Sequence, residues 1–179
     1  MKRIGVLSII IGVLLATTVT TAAAQTGGPT VSQLRQALLT EDDLWAAFEG
    51  TDLIEDDSGD IDATYPAVWV DFVGLVTDDF LTIELHDARN GSPDAIVRGL
   101  LEDLEAEQVR EVTPAGYGTA GVRFRYVFDE PDGERWYGEA AAWRQGQIVV
   151  AIVVESLDAD ACVCEPAELQ YNKVVAMFR

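Results

Sequence analysis

At 179 residues, with 31 acidic side chains against 12 basic ones and a net charge of −19, the chain has room for one domain with a sizeable core. A surface this anionic repels nucleic-acid phosphates and acidic lipid head groups, so neither is expected as a partner. One histidine and two cysteines leave little material for histidine-based catalysis or a complete zinc site.

The chain opens Met1-Lys2-Arg3, continues with a nearly unbroken apolar run from Ile4 to Ala16, and passes through threonines to Ala22-Ala23-Ala24. A basic start, a short apolar segment and an Ala-x-Ala site predict a secretory signal peptide over residues 1–24, cleaved between Ala24 and Gln25. The apolar block falls short of the roughly 20 residues that a spanning helix needs, and Thr17, Thr18, Thr20 and Thr21 dilute it further, so no stable anchor is expected after cleavage. No cysteine lies near the site to carry a lipid, and Lys2-Arg3 is not a twin-arginine signal. The expected location is secreted or extracytoplasmic, periplasm or cell exterior. Export of an unfolded chain argues against a cofactor inserted in the cytoplasm, and none is expected. Losing Lys2 and Arg3 leaves ten of the twelve basic residues against 31 acids, a net charge of −21. Because the acids are spread along the whole chain, this charge is read first as a solvated, self-repelling surface suited to salty surroundings, with cation binding or recognition of a basic partner as the alternative.

Residues 25–30 form a Gln/Thr/Gly/Pro linker, and 31–179 a single domain. Thr30 caps a short helix with the stripe Val31, Leu34 and Leu38. Thr40 opens another, with Asp43 at the capping-box position, Leu44, Trp45 and Phe48 as its apolar residues, and Gly50 as its end. Residues 55–62 carry Glu55, Asp56, Asp57, Asp60 and Asp62 around Ser58-Gly59 and read as an exposed loop. Strand signals follow over Ala67 to Val73 and Phe80 to His86, where Leu81, Ile83 and Leu85 share one side. Ser92-Pro93-Asp94 is a helix start, with Ile96, Val97, Leu100, Leu101 and Leu104 behind it.

A short strand near Val109–Val112 precedes three strands in quick succession. Gly121 to Asp129 sets Val122, Phe124, Tyr126 and Phe128 on one side, Arg123 and Arg125 on the other. Glu130-Pro131-Asp132-Gly133 turns the chain into Arg135–Arg144, and Gln145-Gly146 turns it again. Gln147 to Val154 is apolar on both sides, the mark of a central strand covered twice. A last helix starts at Glu165-Pro166 with Ala167, Tyr171, Val174, Val175 and Phe178 as its buried stripe. Short turns require antiparallel pairing. The expected fold is therefore α+β: an antiparallel sheet of about five to six strands with helices packed on it, on both faces.

The phrase Ala37-Leu38-Leu39-Thr40-Glu41-Asp42-Asp43-Leu44 and the ending, a strand pair over Ala140–Val154 followed by a terminal helix, resemble small exported bacterial proteins of the PsbP-like fold group, including LpqN-type lipoproteins. Two features depart from that pattern. Trp45-Ala46-Ala47 replaces the usual Pro-x-Gly, and the lipid-attachment cysteine is missing. The resemblance implies a non-enzymatic binding or accessory module and assigns no functional residue.

No catalytic signature stands out. His86 has no Gly-x-Ser-x-Gly elbow to serve, sits on the polar side of its strand, and is expected to be a surface or hydrogen-bonded histidine. Ser92 is explained by helix capping. With so many acids, carboxylate pairs are inevitable and uninformative. Phosphate-loop and dinucleotide motifs are missing. Counted from Asp56, the sixth and twelfth places of a calcium loop fall on Ile61 and Val68, so that pattern fails. Trp45, Trp69, Trp136, Trp143 and Tyr137 are mostly core candidates, and an exposed aromatic beside Arg123 or Arg125 would mark a binding face.

Cys162 and Cys164 flank Val163. In an oxidising compartment they are expected to form a local structural bridge, tight for a disulfide and easily reduced, with an inter-chain bond or a soft-metal pair as alternatives. Three functional readings follow. The first is an exported, non-catalytic binding or accessory domain for an unknown protein or small-molecule ligand, seated in an apolar groove between helix and sheet. The second is a small extracytoplasmic hydrolase with His86 or a carboxylate pair in a cleft. The third is a metal or redox role for Cys162 and Cys164, which requires them on an exposed loop.

Overall fold

A computed structural model describes residues 27–48, 51–112, 116–130, 133–159 and 162–178. The predicted leader, with Ala24 and Gln25, lies outside these residues, as do Gly50 and Pro131-Asp132.

Two seven-residue helices come first, α1 (Val31–Ala37) and α2 (Glu41–Ala47). Each is too short to persist on propensity alone, and each carries a complete capping box. The Thr30 hydroxyl accepts from the Gln33 N–H while the Gln33 side chain accepts from the Thr30 N–H, and Thr40 and Asp43 repeat the exchange. Leu44 is fully buried, but Trp45 is 58% exposed. A helix of two turns presents one stripe to the core, and Trp45 stands a third of a turn away from Leu44.

Seven strands follow, interrupted by α3 (Pro93–Asp103) and closed by α4 (Cys164–Met177). They are β1 (Leu53–Asp60), β2 (Ala67–Gly74), β3 (Phe80–Asp87), β4 (Glu107–Glu111), β5 (Thr119–Asp129), β6 (Arg135–Gln145) and β7 (Ile148–Ser156). They form one antiparallel sheet in the order β1-β2-β3-β7-β6-β5-β4. The count is seven rather than five to six, because the acidic segment 55–62 is not a loop. Glu55 to Ser58 are exposed on an edge strand whose backbone pairs with β2 through a bulge between Glu55 and Asp57. Charge on a sheet edge discourages pairing with another chain, which is why an edge strand can read as a solvated loop. The opposite edge, β4, is exposed throughout and begins two residues before the segment read from sequence.

β6 and β7 occupy the middle, and the alternation along them separates two cores. Ala141, Trp143, Val150 and Ile152 pack with Leu34, Leu39, Leu44, Phe72, Ile83 and Ala167 on the face that carries α1, α2 and α4. Ala140, Ala142, Ala151 and Val153 pack with Val97, Leu101, Phe124 and Tyr126 on the face that carries α3. Helices thus lie on both faces, but four helices of this size cover only part of each.

In α4 the buried stripe is Ala167, Gln170 and Val174, while Tyr171, Val175 and Phe178 are only half-buried. Gln170 is a polar residue that the sequence pattern passed over. Its Nε2 donates to the Ala37 carbonyl at 2.7 Å and its Oε1 accepts from the Leu39 N–H at 3.0 Å. It thereby satisfies backbone groups at the α1 terminus that burial would otherwise orphan.

Candidate functional site

Two places gather chemistry. The first is a cavity of about 600 Å³ where the C-terminal end of α3 overhangs β3, β7, β6 and β5. Phe80, Leu104, Phe128 and Trp136 line it, and Asp103, Glu105, Glu107, Asp129 and Glu130 rim it, with Glu155 deeper in its wall. Trp136 is buried and holds the aromatic cluster together: Phe128 stacks on it at 6.0 Å with 12° between the planes, and Phe80 tilts against it at 5.5 Å. Phe80 is 40% exposed, and the Trp136 Nε1 has no hydrogen-bond partner. Strand parity produces the arrangement, since Phe80, Glu155, Trp136 and Phe128 all alternate onto the α3 face.

Glu155 is held at the back of this groove. Gly138 lies beneath the Tyr126 ring so closely that a Cβ there would overlap it. The missing side chain lets Tyr126 lie across β6 and donate its hydroxyl to Glu155 Oε1 at 2.7 Å. Burial raises the Glu155 carboxyl above the ordinary carboxylate range, partly offset by the Tyr126 hydrogen bond, and burial with the Glu155 charge raises the Tyr126 phenol strongly. Of the rim acids, Asp129 already has a cation, because Arg135 Nε donates to it at 2.7 Å. Apolar rings, fixed negative charge and the C-terminal pole of an α-helix all favour a positively charged guest.

The second place is the opposite face beside α4. Glu139 is completely buried between two arginines of β5, with Arg123 Nε at 2.7 Å from Oε1 and Arg125 Nε at 2.8 Å from Oε2. The Val163 N–H also donates to Oε1 at 3.2 Å. Sequence parity placed Arg123 and Arg125 together, but not the glutamate that joins them. The Sγ atoms of Cys162 and Cys164 are joined in a disulfide, and Arg123 Nη2 reaches both, at 3.5 and 3.3 Å. Glu139, Cys162 and Cys164 have the composition of a three-ligand metal set. The cation they already face is the Arg123 guanidinium, which repels a metal ion from the same spot. Beside Arg125, a cavity of about 340 Å³ is lined by Arg110, Gln108 and the half-buried Tyr137, the aromatic neighbour of the arginines that the sequence left open.

No protein-family model, curated protein or solved structure matches the chain. Its chemistry is therefore read from its own residues.

The remaining sequence candidates fall away from these places. His86 is buried on β3, its Nε2 2.7 Å from Glu84 Oε2, so its partner is a carboxylate and not a nucleophile. Ser92 caps α3 through Ala95, as its position predicts. The acids of β1 face solvent, and among the described residues they gather no three-ligand cluster. No helix among the described residues is long and apolar enough to cross a membrane.

The carboxylates divide by environment, which fixes a pH dependence. Burial raises Asp71 and Glu155, whereas the Arg89 and Arg135 guanidiniums hold Asp87 and Asp129 low. A raised acid penalises the folded state only where it is ionised, so that penalty fades as pH falls through its folded value. A lowered acid contributes stability above its unfolded value, near 4, and that is lost as pH falls towards its folded value. Stability should therefore rise as pH falls from 7 into the titration of the raised acids, and fall once pH drops below about 4, where the lowered acids lose their advantage. Urea denaturation across this range checks it, and a continuous decline from pH 7 downwards would contradict it.

Proposed function

We propose that this chain is an exported, non-catalytic binding domain whose ligand carries a positive charge on an apolar body and sits in the groove beneath α3. The observation that carries the reading is the pairing of an aromatic floor (Phe80, Phe128, Trp136) with a rim of carboxylates around about 600 Å³. A cation over an aromatic face gains about 0.5–2 kcal/mol, more as it is desolvated, and the surrounding negative field adds steering that salt screens. The groove has the volume of a small-molecule site, with few polar groups at its floor to demand a shaped partner. Export rests on the leader-like opening over residues 1–24, and the absence of a catalytic role rests on His86 being engaged by Glu84 away from the groove.

Choline and its neutral isostere, in which carbon replaces the quaternary nitrogen, make the test. Calorimetric titration should give measurable binding for the cation, at least tenfold weaker binding for the isostere, and further loss of cation affinity in Trp136→Ala or Phe80→Ala. Equal affinity for the two probes, or cation binding untouched by both substitutions, would defeat the assignment.

A further inference from the structure

We infer that Cys162 and Cys164 form a thiol–disulfide exchange centre that oxidises dithiols in a partner peptide, an activity separate from the groove beneath α3. Four observations converge on this pair. Cys164 is the first residue of α4, a 14-residue helix, and is exposed at its surface, so an N-terminal helix pole sits at the sulfurs. The Cys164 backbone N–H donates to Cys162 Sγ at 3.2 Å. Arg123 Nη2 stands 3.3 and 3.5 Å from the two sulfurs. Arg123 and Arg125 share the single buried carboxylate of Glu139, so this half-exposed triad keeps one net positive charge beside the bond, with Glu165 in the first turn of α4 as the neighbouring acid. Each of these stabilises a thiolate, and a disulfide whose thiolates are stabilised is a better oxidant and has a better leaving group. Cys162 also lines a cavity of about 290 Å³ with Leu81, Pro166, Asp79 and Asp158, which gives a partner side chain room to dock, and Phe80 is the one residue this cavity shares with the groove beneath α3.

Two other roles fit less well. A bond that closes a loop of three residues removes little entropy from the unfolded chain, because that stabilisation grows with loop length. A metal would have to displace the Arg123 guanidinium from the two sulfurs.

The exchange is balanced by the partner alone. A partner thiolate attacks Cys164 Sγ, a mixed disulfide forms, and the Cys162–Cys164 bond breaks with its electron pair leaving on Cys162. The Cys164 N–H and Arg123 hold that thiolate. The partner's second thiolate then attacks its own sulfur in the mixed disulfide, and Cys164 leaves. The partner loses two electrons and becomes a disulfide, the cysteine pair gains them, and the partner's two thiol protons pass to water or to the released sulfurs. Glu139 is a positioning residue in this scheme, since it touches the arginines and not the partner.

The full chain, at substoichiometric concentration, is mixed with a reduced dithiol peptide, and oxidised glutathione serves as terminal acceptor. Peptide oxidation should run at least tenfold faster than with glutathione alone, and Cys164→Ser should abolish the increase. In the reduced protein, thiolate absorbance should titrate below the ordinary cysteine range. Arg123→Met should raise that titration and move the glutathione equilibrium about tenfold toward the disulfide, which corresponds to about 30 mV. Arg123→Lys, which keeps the charge and guards against a folding artefact, should retain most of both effects. No acceleration by the wild-type chain, or thiols that titrate in the ordinary range whether or not Arg123 is present, would overturn the inference.

Discussion

Trp143→Ala is expected to lower the unfolding free energy by about 3–5 kcal/mol, the range for truncating a large buried aromatic. Trp143 is fully buried on β6, pairs with Val150 on β7, and meets Tyr117 at 5.3 Å beneath α4. Alanine would leave a cavity in the middle of the larger core, bounded by sheet backbone on one side, so little can collapse into it. The loss is a packing loss: the Trp143 indole N–H has no hydrogen-bond partner, and removing it orphans no acceptor. Against a total stability on the order of 5–15 kcal/mol, a deficit of this size is decisive. Urea denaturation should show the midpoint falling with an unchanged slope, and Trp143→Phe should recover about half of the difference. A loss under about 1 kcal/mol would mean that the β6–α4 core is not packed as described.

Glu139→Ala is expected to cost about 3 kcal/mol, the low end of the range for removing one partner from a buried ion pair. Three donors lose their acceptor at once: the Arg123 and Arg125 guanidiniums and the Val163 N–H. The low end applies because the arginines are not sealed in; their side chains are 20% and 42% exposed and can turn part of their charge to water. Arg123→Leu should also destabilise, since it strips one cation from a carboxylate with no access to solvent. Combining the two changes should cost clearly less than their sum, with a coupling of about 1 kcal/mol or more, because the second removes what the first left unpaired. Strict additivity would show that the three charges do not act as one cluster.

Local signals in the chain were read well where the physics is local. The cap at Thr30, the capping box at Thr40, the serine and proline that open α3, and the alternation along β3 and β5 all depend on neighbours within a few residues. The two apolar sides of β7 also announced a central strand, which the strand order bears out. What stayed hidden depends on partners far along the chain. β1 is a strand because β2 lends it a ladder, not because its acidic sequence favours one. Gln170 is buried because it closes the end of α1, more than 130 residues earlier. The parity of Arg123 and Arg125 was legible, yet Glu139 enters only through the register that sets Arg125 opposite it. The groove is the least legible feature, since Phe80 and Trp136 come together only after β7 has inserted between β3 and β6.

The indole N–H resonance of Trp136 offers the most direct reading of the proposed binding site, because Trp136 lines the groove and its buried Nε1 has no partner that would mask a change in the ring's surroundings. With the resonance assigned through Trp136→Phe, titration with choline should shift it progressively while the exposed Trp45 indole stays in place, and the neutral isostere should move neither. A Trp136 signal that ignores the cation, or that shifts equally with both probes, would contradict a cation-binding groove under α3.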